Sequence, residues 1–549
     1  MKSIYLIDPK DGKLIKTHLF LAFLALAIGG FAGLLQVLVK TGKVVLPFNI
    51  SYYQILTVHG VLLALVFTTF FIFGFMFAAV SRTAGTFSKK IRLLAWTGFF
   101  LMLIGTLMAA WMILLNKATV LYTFYAPLQA HAIFYIGLAL FFIGTWLEGI
   151  AIILHYAIWK KTHKNILSPL LTFMAVVNSI MWIIASFGVT GSIVFQMIPW
   201  SLGWHSTINI VISRTLFWYF GHPLVYFWLL TAYMAWYVVI PKVIGWRLYS
   251  DSLARLAFLL FLIFSIPVGF HHQLMEPGIS HSWKFFQVFL TFVVIIPSLM
   301  TAFSMFATFE SFARSKKDAG LFGWFKQLPW GDARFVVPFI GMLAFIPGGA
   351  GGIINASNQM NAVVHNTTWI TGHFHLTIST TVTLTFFGVS YWLIGHLTGR
   401  ILTKKLNRLA IIQGISWAIG MTIMSGSMHI AGLLGAPRRT AFTDYGGAAQ
   451  AKKWISYQLA QAVGGSILFI SILLVLFIVI YLAFFAEKGI QEFPVATMDV
   501  HDEKPLLLLL ENWLLWIGIT FFVIIIAYAI PLYSMIQHAP TGSSGYQLW

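Results

Sequence analysis

Cysteine is absent from the 549 residues of this chain. Disulfides, iron–sulfur clusters, thiolate zinc sites and thiolate-bridged copper centres are therefore excluded within it. A metal can be held only by His, Met or oxygen ligands. Charge is scarce as well. Only 9% of the residues are charged and 59% are hydrophobic, with a mean hydropathy of +0.87, whereas a soluble domain carries roughly 25% charged residues. Acidic side chains are the rarer sign, 15 against 34 Lys and Arg. No internal repeat, low-complexity tract or soluble domain interrupts the pattern. The longest polar stretches, 311–334 and 487–506, read as connections. The first residues, with Lys2, Asp8, Lys10, Asp11 and Lys13, lack the character of a cleavable signal peptide.

What is present is apolar sequence in blocks of about 20 residues or more, each long enough to cross a bilayer. Over such blocks only a helix satisfies its own backbone in lipid. Spans are expected near 17–40, 51–80, 91–115, 128–158, 169–198, 206–240 and 253–275. Others follow near 282–310, 335–348, 366–396, 407–435, 455–486 and 508–537; the one at 335–348 is short and ends on Gly and Pro. The expected fold is all-α, a polytopic membrane bundle of about thirteen transmembrane helices forming one membrane domain over 1–549.

An odd number of spans puts the termini on opposite sides. Lys and Arg gather in the N-terminal segment and in alternate connections, among them Arg82, Lys89, Lys90 and Arg92, then Lys160, Lys161 and Lys164, then Arg400, Lys404, Lys405 and Arg408. That bias places the N-terminus in the cytoplasm and the C-terminus outside. The net charge of +19 then reflects topology and calls for no nucleic acid.

Seventeen histidines are present, and several sit within or at the ends of spans, where ionisable groups are costly and functional by default. Isolated ones, His131, His155 and His429, read as interhelical hydrogen-bonding groups. The clusters read differently. In Gly372-His373-Phe374-His375 the two imidazoles, at about 100° per residue, point to nearly opposite sides of a helix and can serve two metal centres, although two unrelated polar anchors would look the same. His59, in Thr57-Val58-His59-Gly60 near the outer end of its span, can pair with one of them as a saturated bis-imidazole haem suited to electron transfer. The other would hold a five-coordinate haem with one face open to a gas.

Phe270-His271-His272-Gln273, with His222 on the preceding span, offers three imidazoles and an open position, which suits copper or non-haem iron, with zinc as the competing chemistry. Pro267 and Gly269 supply the bend that adjacent ligands require. Tyr226 follows His222 by one helical turn. Tyr233 and Tyr237 continue its face, rotated by about −20° and +20°, as a hydroxyl stripe or as core packing. Ser298 and Thr301 lie at a similar inner depth. Arg438 and Arg439, on the outer side, can clamp haem propionates or form a plain surface pair.

Over essentially the whole chain these motifs resemble the haem–copper oxygen reductases, specifically the B-family, the ba-type cytochrome c oxidase subunit I. The runs Ser213-Arg214-Thr215-Leu216-Phe217-Trp218, Gly221-His222-Pro223-Leu224-Val225-Tyr226, Pro267-Val268-Gly269-Phe270-His271-His272 and Thr371-Gly372-His373-Phe374-His375 carry the resemblance. It implies a low-spin haem b on His59 and His375, a high-spin haem of a- or o-type on His373, and copper B on His222, His271 and His272. Tyr226 would be joined to His222 and supply a proton and an electron for O–O cleavage. Tyr233, Tyr237, Thr291, Ser298 and Thr301 would form the proton path, and Arg438 and Arg439 would hold propionates.

The resemblance further implies four-electron reduction of dioxygen to water, coupled to proton translocation, in a bacterial or archaeal plasma membrane. Expected partners are cytochrome c, a subunit II carrying dinuclear copper A, which this cysteine-free chain cannot hold, and a small helical subunit. Rival readings are a quinol oxidase or nitric oxide reductase of the same superfamily, and a metal transporter without haem. Leu224 stands where the A-family commonly has an acid, and Tyr226 where nitric oxide reductases carry glutamate. Asn361 is a departure, since the family pattern has aspartate before Val363-Val364-His365-Asn366, and an amide cannot take up a proton as a carboxylate does.

Overall fold

The structure is a computed structural model, and it describes residues 7–48, 50–316, 323–441, 444–496, 508–538 and 542–548. Parts of the polar connections 311–334 and 487–506 lie outside the described residues. Among the described residues, twelve helices are long and apolar enough to cross a membrane. A shorter one lies among them. In chain order they are α1 (Pro9–Val39), α2 (Tyr52–Ala84), α3 (Lys89–Leu114), α4 (Ala132–Thr162), α5 (Leu170–Ser201), α6 (Ile210–Val243) and α7 (Asp251–Phe264). There follow α8 (His281–Ser315), α9 (Ala333–Ala356), α10 (Thr368–Thr398), α11 (Lys404–Leu433), α12 (Ala449–Phe484) and α13 (Trp513–Gln537).

Short polar residues start these helices by accepting from otherwise unpaired first-turn N–H groups. Asp8, Ser51, Ser88, Asn209, Ser250, Thr403 and Asn512 each do so. The most enclosed helices, α2, α5, α6 and α10, bury nearly nine-tenths or more of their apolar windows, whereas α13 buries 22%. The centre of the bundle therefore lies among α2, α5, α6 and α10, and three of these, α2, α6 and α10, carry histidine motifs.

Two expectations differ in detail. The block 253–275 forms α7 only as far as Phe264, then turns at Ser265–Val268 and continues as a 3-10 helix over Gly269–Gln273. Pro267 lacks the N–H that an unbroken helix would need. The block 335–348 is longer than its Gly-rich end implied, because α9 runs through that end to Ala356. Packing against α10 overrides the low helical preference of glycine there.

Candidate metal and haem centre

Two of the three π-helical segments among the described residues sit beside motif histidines. In α2 a π-helical segment, Val61–Phe67, begins two residues after His59, and in α10 another, Thr377–Val382, begins two residues after His375. Single-turn π segments inside helices recur at functional sites. In α10 the cause is visible. Thr377 Oγ1 donates to the His373 carbonyl at 2.9 Å and Thr380 Oγ1 to the His375 carbonyl at 3.2 Å. Hydroxyls drawing on carbonyls of the preceding turn bend a helix in this way.

His59 and His375 meet across α2 and α10 with rings nearly parallel, 10° between planes and 6.1 Å between centres. His59 Nδ1 lies 2.9 Å from the Gly29 carbonyl and His375 Nδ1 2.8 Å from the Thr371 carbonyl. A carbonyl only accepts, so each Nδ1 carries the hydrogen and each Nε2 keeps its lone pair for a metal. The two rings border a cavity of about 1720 Å³ of empty space, its open mouth included, whose wall also contains Arg438 and Arg439.

His373 faces away from that pair. Its Nδ1 lies 3.0 Å from the Gly348 carbonyl of α9, again leaving Nε2 free. A Cβ on Gly351 would stand 2.9 Å from this ring, so glycine is what lets α9 approach. His373 is near enough to His222, His271 and His272 to act electrostatically on each.

Those three histidines form a compact set whose candidate ligand atoms all lie within 4.8 Å of one another. His222 Nδ1 and His272 Nε2 are 3.0 Å apart, and His222 Nε2 is buried without a partner. His222 precedes Pro223 inside α6. The 3-10 turn holds the other two. Phe270 N–H donates to Gln287 Oε1 at 2.8 Å and Gly269 N–H to the Tyr528 hydroxyl at 3.0 Å. A Cβ on Gly269 would collide with that hydroxyl and with the Trp218 carbonyl, at 2.6 and 2.7 Å.

Trp218 lies flat on His272, and Thr291 Oγ1 is 3.1 Å from His271 Nδ1. Thr291 thus stands at the histidine set rather than beside the lower tyrosines. Tyr226 packs its ring on His222, 5.1 Å between centres. Below it, Tyr233 and Tyr237 are buried; Ser298 hydrogen-bonds to Tyr233, and the Tyr237 hydroxyl donates to Thr301 Oγ1 at 2.9 Å. Phe261 lies between Tyr226 and Tyr233, its ring centre 5.3 and 5.8 Å from theirs.

At the end of the bundle that holds the motif histidines, Arg438 donates to the Asn366 side chain at 2.9 Å, and Arg439 lies over the Tyr122 ring at 5.6 Å. Arg439 Nη2 is buried with no partner. Burial, reinforced by Arg439, pulls the Arg438 guanidinium down to about 10. Two adjacent cations with an unmet donor make a site for an anion. Asn361 binds His365 Nδ1 at 3.1 Å and donates to the Asn355 carbonyl at 2.6 Å. Burial, with Arg438 next in effect, lowers His365 to about 4. Arg214 forms an ion pair with Glu276, directly after the 3-10 turn. Gln287, Tyr528 and Glu276 had no sequence signal, because they act from separate helices and a loop.

Residues 13–467 match the family described as cytochrome C and quinol oxidase polypeptide I. The chain is 40% identical to a cytochrome c oxidase subunit 1 of Thermus thermophilus over 548 residues, covering 97% of this chain and 96% of the relative. It is 25% identical over 456 residues to a cytochrome c oxidase subunit 1 of Bacillus subtilis, covering 77% and 68%. A solved haem–copper terminal oxidase dimer superposes with a TM-score of 0.92 at 37% identity, covering 98% of this chain and 95% of that one.

Proposed function

The chain belongs to the haem–copper oxidase subunit I family, in its B-family branch, and on that premise we propose a role for each side chain of the centre. As a member it is the catalytic subunit of a cytochrome c oxidase, a multi-pass plasma-membrane protein that works with haem, copper B, other subunits and cytochrome c.

His222, His271 and His272 would hold copper B. The fit rests on three clustered imidazoles, no carboxylate among them, and the bare His222 Nε2; imidazole donors suit copper. His59 and His375 would share the low-spin haem, a haem b. The fit rests on their nearly parallel rings, 6.1 Å between centres, and on the Nε2 atom that each Nδ1–carbonyl contact leaves free as a donor. His373 would hold the high-spin haem, of a- or o-type, and Arg438 with Arg439 would hold haem propionates. When bound, these groups supply electron transfer and the four-electron reduction of dioxygen to water.

The side chains position, exclude water and move protons. Main-chain carbonyls of Gly29, Gly348 and Thr371 fix the tautomer of His59, His373 and His375. Trp218 and the Gln287 and Tyr528 bonds hold His271 and His272 in place. Tyr226 stands against His222 to provide the phenolic proton, and Tyr233, Tyr237, Ser298 and Thr301 replace it from the far side of α6 and α8. Thr291 would act at His271, at the upper end of that path. The N-terminus faces the cytoplasm, the whole of 1–549 is one membrane domain, and the companion subunit II carries copper A, with a small helical subunit beside them.

One observation carries this reading: the three-histidine set lies within electrostatic reach of His373, while His375, two residues on, turns to His59. Haem extraction and copper analysis of the purified complex test it. Two haems and one copper per chain are expected within this subunit; a protein without a Soret band would refute it.

A further inference from the structure

Away from the haem and copper ligands, one ionisable pair is sealed inside the bundle. His18 on α1 and Glu148 on α4 are both fully buried, with His18 Nε2 2.7 Å from Glu148 Oε1. The rings of Phe70, Phe77 and Phe99 enclose the imidazole, their centres 5.8, 5.8 and 4.9 Å from its own. The other carboxyl oxygen, Oε2, is buried with no hydrogen-bond partner.

Hydrogen-bond chemistry counts the proton. His18 Nδ1 lies 2.9 Å from the Leu14 carbonyl oxygen, which only accepts, so Nδ1 carries a hydrogen. In a neutral imidazole Nε2 is then an acceptor, and the 2.7 Å contact with Oε1 needs a hydrogen of its own. One ionisable proton therefore sits between ring and carboxyl. An ionised carboxylate would leave Oε2 charged and buried without a hydrogen bond, and a buried ion pair is tolerated only where further hydrogen bonds satisfy it. A neutral acid leaves there only a carbonyl oxygen.

The titratable and charged groups that α1 to α4 bring toward this region are Asp11, Arg82, Arg92 and His155. Asp11 and Arg92 neutralise each other, Arg92 Nε donating to Asp11 Oδ1 at 2.8 Å. Ser81 and the Phe87 N–H also donate to Asp11. The Arg92 charge is thereby taken up by Asp11, and His18 is the partner that acts on Glu148.

We propose that His18 and Glu148 form a proton-binding site, in which Glu148 is a neutral acid donating from Oε1 to His18 Nε2 and its proton exchanges with the face of the bundle where α1 begins. A second acid–histidine rung leads that way. Asp11 precedes His18 by seven residues on α1, and His155 follows Glu148 by seven on α4, about 10 Å along each axis. Phe87 joins the two, its N–H donating to Asp11 Oδ2 at 3.1 Å and its ring centre 4.4 Å from that of His155, and His155 Nε2 is buried without a partner. Arg92 reaches outward from Asp11 toward Asp8, whose side chain is 33% exposed. Transient water must bridge the rungs, which makes exchange slow enough to follow.

Infrared spectroscopy of the intact oxidase in lipid, before and after transfer to deuterium oxide, tests this. At neutral pH a carboxylic-acid C=O band is expected that Glu148→Gln removes and His18→Gln shifts in frequency. It should move in deuterium oxide, and do so several-fold more slowly in His155→Leu. Should Glu148→Gln fail to assemble, isotope-labelled glutamate with the His18→Gln shift makes the assignment. An acid band unaltered by either His18→Gln or Glu148→Gln overturns the site. Exchange in His155→Leu at the unmodified rate overturns the route. Neither readout depends on the haem or copper assignments, so the two accounts fail separately.

Discussion

Trp218 lies flat on His272, with 4.0 Å between ring centres and 4° between planes. The indole comes from α6, one turn before His222, and so one helix both supplies one of the proposed copper ligands and braces another. Outer partners that orient a ligand typically change metal affinity about 10–100-fold when removed. Trp218→Leu is therefore expected to weaken copper retention by about that factor and to leave the low-spin haem spectrum unaltered. Copper content measured against a graded series of chelator concentrations reads the effect.

His271→Ala and His272→Ala are expected to lose copper and oxygen turnover outright while both haems remain. Either substitution leaves two imidazoles, an incomplete shell. Metal analysis beside haem quantification checks it, and normal copper content in both variants would remove these residues from the site.

Tyr226→Phe is expected to assemble all cofactors and barely reduce oxygen, because only the hydroxyl is deleted and the ring packing on His222 is kept. Tyr237→Phe breaks the 2.9 Å hydrogen bond to Thr301 and is expected to slow proton-dependent steps while first binding of oxygen or carbon monoxide proceeds unchanged. Flow-flash kinetics with proton-uptake detection separates these outcomes. Uptake at the unmodified rate would make Tyr237 a packing residue.

Asn361→Leu removes one bond to His365 and one to the Asn355 carbonyl. A net hydrogen bond is worth about 0.5–1.5 kcal/mol, so a loss of roughly 1–3 kcal/mol in stability is expected, with turnover and charge translocation largely kept. Thermal unfolding followed by haem absorbance gives the first quantity and turnover in liposomes the second.

Much of this was legible in the sequence because the membrane makes polar residues expensive. His59, His222, His271, His272, His373 and His375 stand out against apolar blocks, and the opposite facing of His373 and His375 follows from helical rotation alone. Pro267 and Gly269 announced the bend in the 253–275 block, though not that it forms a 3-10 turn. The π turns were not legible, since Thr377–Val382 averages as ordinary helix and only its hydroxyl bonds reveal the distortion. Gly348 and Gly351 looked like a terminus, whereas they admit Thr377 and the His373 ring against α9. His18 and Glu148 are 130 residues apart, and nothing local joins them.

If α10 serves two haems from opposite faces, the reduced-minus-oxidised visible spectra of His373→Ala and His375→Ala show it most directly. His375→Ala is predicted to lose the low-spin signature and keep carbon monoxide binding at the high-spin haem; His373→Ala is predicted to lose carbon monoxide binding and keep the low-spin signature. Depletion of the same haem by both substitutions would contradict the account.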